Sequence, residues 1–398
     1  MISPEYIVIQ GYGSISALGA DTETIALSYK AAKPAFQVQS LNNELSPVAA
    51  LHPQAEVLLN QLKNEKRAFQ TLDRSVLMAI YAARQAVAAA GWQQETDIGV
   101  NIGSSRGATG LFEEYLTTYL NSGTLPAHTS PVTTLGNISS WVANDLQTQG
   151  PLISHSVTCS TALQAIANGF AWLKAGMTSK FLAGGAEAPL TPFTIAQMKA
   201  IGIYSTDIDT AFPCRPHNLE RKNTFVLGEG AAVFALEKVS ADDLMNTTEP
   251  VIVLESIGFG FETIASKTGI SREGLNFQLA IRDALKKTAS TEPIDLVVLH
   301  SPGTVAGDSA ELHALQAVFG ENNLPLLSSN KFLTGHTLGA SAALSLEYAI
   351  HVLTHQILPN LPFSPIFTVP ENININRVLV TAAGFGGNAV ALILKRVF

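Results

Sequence analysis

The sequence has few of the residues that mark secreted, membrane-spanning or disordered proteins. Only two cysteines occur in 398 residues, too few for a disulfide framework in a chain of this size. Charged residues make up 14% of the chain and hydrophobic residues 46%, which excludes disorder and supplies a large core. No uninterrupted apolar run approaches about 18 residues, so no membrane span is expected.

The N-terminal residues and the net charge indicate where the protein is located and which ligands it does not bind. The opening MISPEYIVIQ lacks the basic segment and the long apolar stretch of a secretory signal. We therefore expect a cytoplasmic protein. The net charge of −8 argues against a general nucleic-acid binder. No resident cofactor or metal is predicted.

Short β-branched segments alternate with longer helical patterns along the chain. KFLAGGAE, VIVLESIGFGF and IDLVVLHS resemble strands, whereas SVLMAIYAARQAVAAAG is an alanine-rich helix closed by Gly91. Strands interleaved with helices predict an α/β protein with a sheet covered on both faces. The opening YIVIQGYG is interpreted as a strand entering a glycine turn. Its glycine spacing is not GxGxxG, so a dinucleotide site is rejected.

Cys159 lies where a short strand ends and an apolar helix begins. In SHSVTCSTALQAIANGF, apolar residues from Ala162 onward recur at helical spacing. Unpaired N–H groups and partial positive charge at a helix N-terminus favour a thiolate, which makes Cys159 a candidate nucleophile. A buried structural cysteine is the commoner role for a lone thiol. His155 is too distant to serve as its base, because four extended residues span about 13 Å.

Two other histidines follow strands, at the end where α/β proteins build their sites. His300 comes directly after a hydrophobic strand, and His336 begins a helix in LLSSNKFLTGHTLGASAAL, with Lys331 shortly before it. Either histidine alone is more often a satisfied polar residue than a catalyst. Two of them at equivalent strand ends indicate a shared site. The segment TAAGFGGNAV adds a glycine turn whose backbone N–H groups can approach a ligand closely.

Six segments, in their order along the chain, resemble those of a β-ketoacyl-acyl-carrier-protein synthase, an elongating condensing enzyme of the thiolase superfamily. VIQGYGSISALG is followed by SVTCSTALQAI, CRPHNLERKNTFVLGEGAAVFALE, HSPGTVAGDSAE, NKFLTGHTLGAS and GFGGNA, which together cover nearly the whole chain. SSRGAT and ALSLEYA further resemble synthases of pigment or aryl-polyene pathways. The resemblance implies a thiolase-like fold, a layered α-β-α-β-α sandwich of two similar α/β halves. Residues 1–245 would carry the nucleophile and residues 246–398 the histidine pair.

The resemblance implies decarboxylative Claisen condensation of an acyl-enzyme with malonyl thioester, in fatty-acid or polyketide chain elongation. The substrates would be carried on the phosphopantetheine of an acyl carrier protein. Cys159 would take up the acyl group. His300 and His336 would stabilise the oxyanion that forms as malonyl thioester loses carbon dioxide.

The resemblance also assigns supporting roles around the thiol. Backbone N–H groups, one of them from Ala383, would hold the acyl oxyanion, and Phe385 would gate access to Cys159. Lys331 would keep His336 neutral and oriented. A structural cation paired with Glu311 or Asp308 is an equal alternative for this lysine.

Several positions depart from the family pattern. Pro302 stands where the first of two pantetheine-contacting threonines is expected, so Thr304 remains, and Gly386 is a further candidate for substrate contact. Ser345 replaces a glutamate, and Glu347 is out of register to substitute for it. The final turn lacks the threonine expected before its asparagine. These changes affect the expected binding of the carrier arm.

The segment IGSSRGATGLFEEYL aligns with the family stretch that lines the acyl tunnel, which makes Arg106 and Phe112 candidate substrate-binding residues. A lone guanidinium cannot stay unpaired in an apolar tunnel. Arg106 would either turn away to pair with Glu113 or Glu114, or face the pocket and cap a polar or aromatic acyl end. Both arrangements predict short, unsaturated or aryl acyl groups. An ordinary surface role for Arg106 is the alternative.

Acyl carriers are acidic, and LKNEKRAF supplies a basic segment for docking one. Lys63, Lys66 and Arg67 are the candidate contacts, although a solvated helix face is an equally common reason for such charges. Members of the family are dimers with their sheets paired across the interface. We therefore expect a homodimer, with a heterodimer of related chains as the alternative.

Other functions have less support. A partner subunit with a structural or chain-length role would lack the nucleophile. Degradative thiolases, which use CoA thioesters, place a second cysteine in the C-terminal glycine turn, and this turn has none. A cysteine amidase of unrelated fold leaves Lys331 and the second histidine unexplained.

Two further features are interpreted as structural. Cys214 has no flanking base and is expected to be a packed thiol. Glu347, His351 and His355 form a stripe at helical spacing that could hold a metal, but a solvated or dimer-edge face is favoured.

Overall fold

The structure is a computed structural model that describes residues 5–41, 44–248, 250–265, 269–361 and 363–397. The predicted α/β class is confirmed. Among the described residues, no helix combines the length and the apolar character needed to cross a membrane.

Twelve strands are described, and ten of them form one sheet. The strands are β1 (Glu5–Ser16), β2 (Gln37–Leu41), β3 (Glu44–Val48), β4 (Ile98–Gly103), β5 (Leu152–Ile153), β6 (Lys180–Glu187), β7 (Gly230–Ser240), β8 (Val251–Phe261), β9 (Leu296–Val298), β10 (Leu326–Ser328), β11 (Arg377–Gly384) and β12 (Asn388–Val397). The order in the sheet is β10-β9-β11-β12-β8-β1-β7-β6-β4-β5, and β2 pairs with β3 separately.

The sheet repeats one pairing pattern in its two halves. In the order β5-β4-β6-β7-β1, two parallel pairs are followed by two antiparallel pairs. The order β10-β9-β11-β12-β8 follows the same rule. The halves join where β1 meets β8 in two residue pairs, Val8 with Val253 and Ile9 with Ile252.

Helices cover the sheet and separate its halves. They are α1 (Thr22–Ala31), α2 (Pro53–Glu65), α3 (Arg74–Ala89), α4 (Thr109–Ser122), α5 (Thr129–Thr133), α6 (Asn137–Leu146), α7 (Thr161–Lys174), α8 (Pro192–Ala200), α9 (Ala241–Met245), α10 (Leu275–Lys287), α11 (Val305–Phe319), α12 (Lys331–Thr334) and α13 (Ser341–His355). Short 3₁₀ helices span Arg67–Thr71, Leu338–Ala340 and Pro365–Phe367.

The helices give the expected layers. α3 packs on β1 and β7, α10 packs on β8 and β12, and α7 and α13 pack on each other between the two halves of the sheet. α13 is buried without interruption from Ser341 to Leu353, as a central helix must be. The arrangement is the α-β-α-β-α sandwich predicted from the sequence.

The glycine turn predicted near the N-terminus is wrong. β1 continues through Gly11 and Gly13 as far as Ser16. A Cβ at Gly13 would lie 2.3 Å from the carbonyl oxygen of Ala82, and one at Gly11 would crowd Ala86 and its neighbours. These glycines therefore serve the close packing of α3 on the strand and not a turn.

Candidate active site

A cavity of about 270 Å³ lies between the two halves and has Cys159, His300 and His336 in its wall. Most of the remaining wall is apolar. Its apolar side chains include Met198, Ile201, Ile203, Phe225, Ile270, Phe277 and Leu338. The three residues that the sequence analysis placed at the centre of the chemistry therefore share one cavity.

Cys159 is presented by a tight backbone just before α7. Thr158 adopts a left-handed conformation with φ +53°, and its hydroxyl lies 3.3 Å from the Phe385 carbonyl oxygen. The Ser160 hydroxyl donates to the Asn388 side chain at 2.5 Å. A side chain at Gly384 would collide with Thr158, so only glycine lets this turn approach the thiol.

The electrostatics of Cys159 differ from the sequence expectation. Burial, followed by the nearby Glu187 carboxylate, raises the pKa of the thiol to about 12, while Arg106 and Lys331 act in the opposite direction. The helix N-terminus alone had indicated a thiolate. In the free protein the group is a thiol, because low-dielectric surroundings disfavour its charged form.

His336 is held in a single tautomer. Its Nδ1 accepts the backbone N–H of Leu338 at 3.0 Å, and a backbone N–H can only donate. The ring proton is therefore on Nε2. Burial, with His300 and Lys331, lowers the pKa of His336 well below its ordinary value, so the ring is a neutral donor.

His300 lies in a loop that a buried carboxylate holds in place. Glu311 accepts the backbone N–H groups of His300 at 2.8 Å and Ser301 at 2.7 Å, and the Thr381 hydroxyl at 2.5 Å. Burial, then Lys331, lowers the pKa of His300 to about 3. The His300 and His336 rings are 5.3 Å apart and nearly perpendicular, and both rings belong to residues that line the same cavity.

Lys331 is not paired with Glu311 or Asp308, but it lowers the pKa of His336 and so helps to keep that ring neutral, as expected. Its Nζ donates to the Ser345 hydroxyl at 2.7 Å and to the Asn330 side chain at 3.1 Å. Within the described part of the chain it forms no salt bridge. Burial lowers the pKa of Lys331 to about 8, against a smaller opposing effect of Glu311. It acts on the histidines through its field and not through contact.

The loop after β4 is held by a second buried carboxylate. Glu187, the last residue of β6, accepts the Ser104 hydroxyl at 2.8 Å and the backbone N–H of Ser105 at 2.7 Å. It also accepts the N–H groups of Gly339 at 2.9 Å and Arg106 at 3.1 Å. One carboxylate thus joins the loop beside the thiol to the segment that leads into α13.

Arg106 adopts neither predicted arrangement. Its guanidinium donates to the Gln197 side chain on α8 at 2.6 Å, and it is absent from the cavity wall. Glu113 instead accepts the Thr191 hydroxyl at 2.6 Å. Arg106 therefore lies against α8 and outside the cavity wall, where it still lowers the pKa of the Cys159 thiol.

The other predicted substrate residues divide into two groups. Ala383, Phe385 and Thr304 line the cavity, and Phe385 is half-exposed as expected of a gate. The Thr304 hydroxyl also caps α11 by accepting the Gly307 N–H at 3.2 Å. Gly386 and Phe112 are not in the cavity wall, and Phe112 is 60% exposed on α4.

The predicted docking residues are exposed, but they are not equivalent. Lys63 lies in α2 and Arg67 follows it, and both side chains reach solvent. Lys66 instead forms a salt bridge with Asp145 at 2.6 Å, an acid that also binds Arg84. Two of the three charges therefore remain available to a partner.

The features interpreted as structural have mixed outcomes. Cys214 is buried and packed, as predicted. The solvated face predicted for the acid–histidine stripe is wrong, because Glu347 binds Ser14 and Tyr29 in the interior and His351 is buried. No group of acidic, histidine or cysteine side chains within the described ranges has the geometry of a metal site.

Sequence reasoning missed the residues that shape and brace the cavity. The wall residues Met198, Ile201 and Ile203 belong to the first part of the long connection between β6 and β7, ahead of the assigned motif that begins at Cys214. Glu187 carried a signal: it is an acid that ends the strand KFLAGGAE, which is otherwise apolar or small over its buried part. A buried terminal carboxylate of this kind requires donors, and here the donors come from the active-site loops.

A thiol and two neutral imidazole donors at one apolar cavity are suited to acyl transfer through a thioester. Sequence models of the β-ketoacyl synthase N-terminal and C-terminal domains match residues 6–241 and 253–363. The chain therefore belongs to the β-ketoacyl synthase family, whose members are condensing acyltransferases. A 3-oxoacyl-[acyl-carrier-protein] synthase 2 from Coxiella burnetii (strain RSA 493 / Nine Mile phase I) is 30% identical, over 98% of this chain and 99% of that protein.

Solved structures support the same fold. The ishigamide ketosynthase/chain length factor superposes with a TM-score of 0.87 at 22% identity, over 99% of both chains. A type II polyketide ketosynthase in complex with its acyl-carrier protein, AntDE:AntF, superposes with a TM-score of 0.84 at 20% identity, over 99% of this chain and 100% of that one. At these identities the likeness concerns the fold.

Proposed function

We propose that this chain is an elongating β-ketoacyl-acyl-carrier-protein synthase that condenses an acyl-Cys159 enzyme with malonyl thioester. The observation that carries the proposal is the pairing of Cys159 with two buried, neutral histidines at one cavity. The family membership and the curated relative's name agree with it. No resident cofactor is proposed, since both substrates arrive as carrier-bound phosphopantetheine thioesters.

The first half-reaction transfers the acyl group. The sulfur of Cys159 attacks the thioester carbonyl, the carrier thiolate leaves, and the cysteine proton passes to it. The negative charge on the carbonyl oxygen is held by the backbone N–H groups of Cys159 and Ala383. Because burial keeps the free thiol protonated, the proton leaves only as the new bond forms.

The second half-reaction forms the carbon–carbon bond. The bond to the malonyl carboxylate breaks, carbon dioxide departs, and its electron pair forms an enolate. The enolate oxygen accepts hydrogen bonds from His300 and from Nε2 of His336. The enolate carbon then attacks the acyl-Cys159 carbonyl and releases Cys159 as a thiolate, which takes up one proton from solvent to restore the thiol. Lys331 adds a positive field that favours the anionic intermediate.

Intact-protein mass spectrometry tests this function. The protein is incubated with a panel of acyl-carrier thioesters, and Cys159 is expected to gain the mass of the acyl group. Malonyl carrier added next should discharge the enzyme as a 3-oxoacyl product with release of carbon dioxide. Loading of CoA thioesters but not carrier thioesters would favour the thiolase-like alternative, and no loading at all would favour a partner subunit.

We further propose that the acyl pocket prefers short, unsaturated or aryl groups. Arg106 bonds to Gln197 on α8, and the next residue of that helix, Met198, lines the cavity, so a pocket extended toward α8 would bring methylene groups against a guanidinium. Arg106→Leu is then expected to improve loading of long saturated chains. Equal loading of sixteen-carbon and short chains by the unmodified enzyme would contradict this preference.

We also propose a cytoplasmic homodimer that docks an acidic acyl carrier protein. α4 exposes Phe112, Leu116, Tyr119 and Leu120 to solvent, and β5 leaves one edge of the sheet open. Such a surface is typical of a protein interface. Light scattering of the purified chain tests the state, and a monomer that dimerises only with a related ketosynthase-like chain would indicate the heterodimer.

A further inference from the structure

His217 contacts the His300 loop (residues 300–304) from outside the cavity, and no reaction step described above uses it. Its Nε2 lies 2.7 Å from the Ser301 hydroxyl, and its ring meets Phe367 edge to face at 5.8 Å. We propose that His217 is a positioning residue for decarboxylation, which holds His300 in place through Ser301. The inference rests on the proposed function and adds to it a residue that touches no substrate.

The direction of these hydrogen bonds follows from a count of protons. Ser301 is fully buried, and its single hydroxyl proton goes to the Glu311 carboxylate at 2.7 Å. A hydroxyl that donates to a carboxylate has only lone pairs left for a second partner. His217 must therefore carry its proton on Nε2 and donate to Ser301. The donors run from His217 through Ser301 to Glu311, the carboxylate that also holds the backbone of His300.

The backbone of His217 is tied to the same loop. Its N–H donates to one oxygen of Asp308 at 2.8 Å, and the other oxygen accepts the N–H groups of Gly303 at 3.1 Å and Thr304 at 3.2 Å. Asp308 and Glu311 are buried one turn apart on α11. His217 is therefore linked to both carboxylates. Its backbone N–H donates to Asp308 directly, and its side chain reaches Glu311 through the Ser301 hydroxyl.

The conformation of His217 indicates that these contacts constrain it. Its φ of +55° lies in the left-handed region, which side chains with a Cβ rarely adopt unless the surroundings impose it. Burial lowers the pKa of His217 to about 4, so the ring is neutral at neutral pH. It supplies the loop with a hydrogen-bond donor and not with a charge.

Loss of the His217 hydrogen bond is expected to change the direction in which the N–H of the His300 ring points. An oxyanion donor is effective only when its N–H points at the place where charge develops, and small displacements reduce the rate of the step. Loss of the His217 donor leaves Ser301 with a buried, unpaired acceptor and loosens one side of the loop. We expect slower decarboxylation with unchanged loading of Cys159, because the nucleophile belongs to the other half.

A double-mutant cycle tests the proposal. His217→Phe keeps a ring but removes the donor, His217→Gln keeps an N–H within reach, and Ser301→Ala removes the group that receives it. The readouts are carbon dioxide release from malonyl carrier, separated into kcat and KM, and acyl loading by mass spectrometry. We expect His217→Phe to lower kcat about two- to tenfold with KM and loading unchanged, the effect of one lost hydrogen bond. His217→Gln should restore most of it.

The coupling distinguishes positioning from general damage. In the Ser301→Ala background, His217→Phe should cause no further loss. His313→Phe is the matched control and should retain full kcat, because His313 lies on α11 and its ring bonds, within the described ranges, to the Arg272 carbonyl. Additive losses, or a His217→Gln variant no more active than His217→Phe, would overturn the proposal. If His217→Phe fails to fold, the His217→Gln and Ser301→Ala variants decide the question. No carbon dioxide release by the unmodified enzyme would instead overturn the proposed function.

Discussion

The two halves of the sheet have the same strand order but supply different chemistry to one cavity. In the N-terminal half, the segment between β5 and α7 contains Cys159. In the C-terminal half, the corresponding segment between β10 and α13 contains His336. One position in a repeated framework therefore carries the nucleophile in the first case and a hydrogen-bond donor in the second.

The loops that follow β4 and β9 show the same relation. Glu187 holds the loop after β4, and Glu311 holds the loop after β9, each through backbone N–H groups. Only the second loop presents a catalytic side chain, His300, to the cavity. The comparison teaches that the framework fixes where loops meet, while a single side chain in each loop decides what the loop does.

The connections within the halves also differ in length. Residues 188–229 join β6 to β7 and contribute Met198, Ile201, Ile203 and Phe225 to the apolar wall, whereas the equivalent connection of β11 to β12 is the short turn around Phe385. In the proposed function, the connection in the N-terminal half contributes to the acyl pocket and the turn in the C-terminal half gates access to Cys159. The following variants separate these contributions.

Removing the nucleophile is expected to have the largest effect. Cys159→Ala should abolish acyl loading and condensation, because no other group in the cavity can form the thioester. Intact-protein mass spectrometry measures loading, with Cys214→Ala as the matched control that loads normally. Acyl label on Cys214, or on the Cys159→Ala protein, would contradict the assignment of the nucleophile to the N-terminal half.

Removing either histidine should affect the second half-reaction. His300→Ala and His336→Ala are expected to slow decarboxylation about 10²- to 10³-fold, the effect of losing one preorganised oxyanion donor. Acyl loading of Cys159 should be retained for the most part. Carbon dioxide release and loading are measured separately, with the exposed His355→Ala as control. Unchanged decarboxylation in either variant would remove that histidine from its role.

Replacing the buried lysine should change stability and activity in opposite directions. The pKa of Lys331 is about 8 in the folded protein, below its ordinary value, so the unfolded chain binds more protons between pH 8 and about 10.5. The contribution of Lys331 to the free energy of unfolding therefore falls as the pH drops from about 10.5 to 8, and it is lowest below pH 8. Lys331→Met should raise the free energy of unfolding at pH 7 by about 3 kcal/mol. This gain should disappear near pH 10.5.

The activity of Lys331→Met should fall less than that of the histidine variants, because the lysine contacts neither ring. Denaturant titrations at several pH values check the sign, and Lys222→Met on the surface is the control. A variant that is less stable at pH 7 than the parent would show that its hydrogen bonds to Ser345 and Asn330 outweigh the cost of burying the charge.

Reversing the exposed charges near α2 should have the smallest effect. Lys63→Glu with Arg67→Glu is expected to reduce turnover of carrier-bound substrate a few-fold and leave small thioester analogues unaffected. The difference should shrink with salt, since such charges are screened within about 8–10 Å at physiological ionic strength. Lys66→Glu is the contrasting variant. It breaks the salt bridge to Asp145, so it should lower the stability of the protein and reduce turnover of both substrates alike.

Local sequence was sufficient for the elements and for the chemical residues. β6 and β8 match the segments KFLAGGAE and VIVLESIGFGF, because small and β-branched runs of this kind can be read within a short window. Cys159, His300 and His336 were found from their places at strand ends and from the family motifs. Both signals lie within a few residues of the group concerned.

What could not be predicted depends on partners far away in the chain. The hydrogen bond of Arg106 to Gln197 spans 91 positions, and nothing local indicates it. The raised pKa of the Cys159 thiol follows from burial by both halves, which a helix N-terminus does not reveal. The repeated strand order was also hidden, since pairing is a property of backbone geometry and the two halves share no visible sequence repeat.

The narrow seam between β1 and β8 has a consequence for refolding. Each half can form its own strand pairs, but Cys159 meets the Phe385 turn through contacts such as Thr158 with Phe385 and Ser160 with Asn388, which are 227 and 228 positions apart. Contacts of such separation form slowly, because long loops must close first. Catalytic activity is thus expected to return after circular dichroism has already recovered, so that the enzyme reports the docking of its own halves.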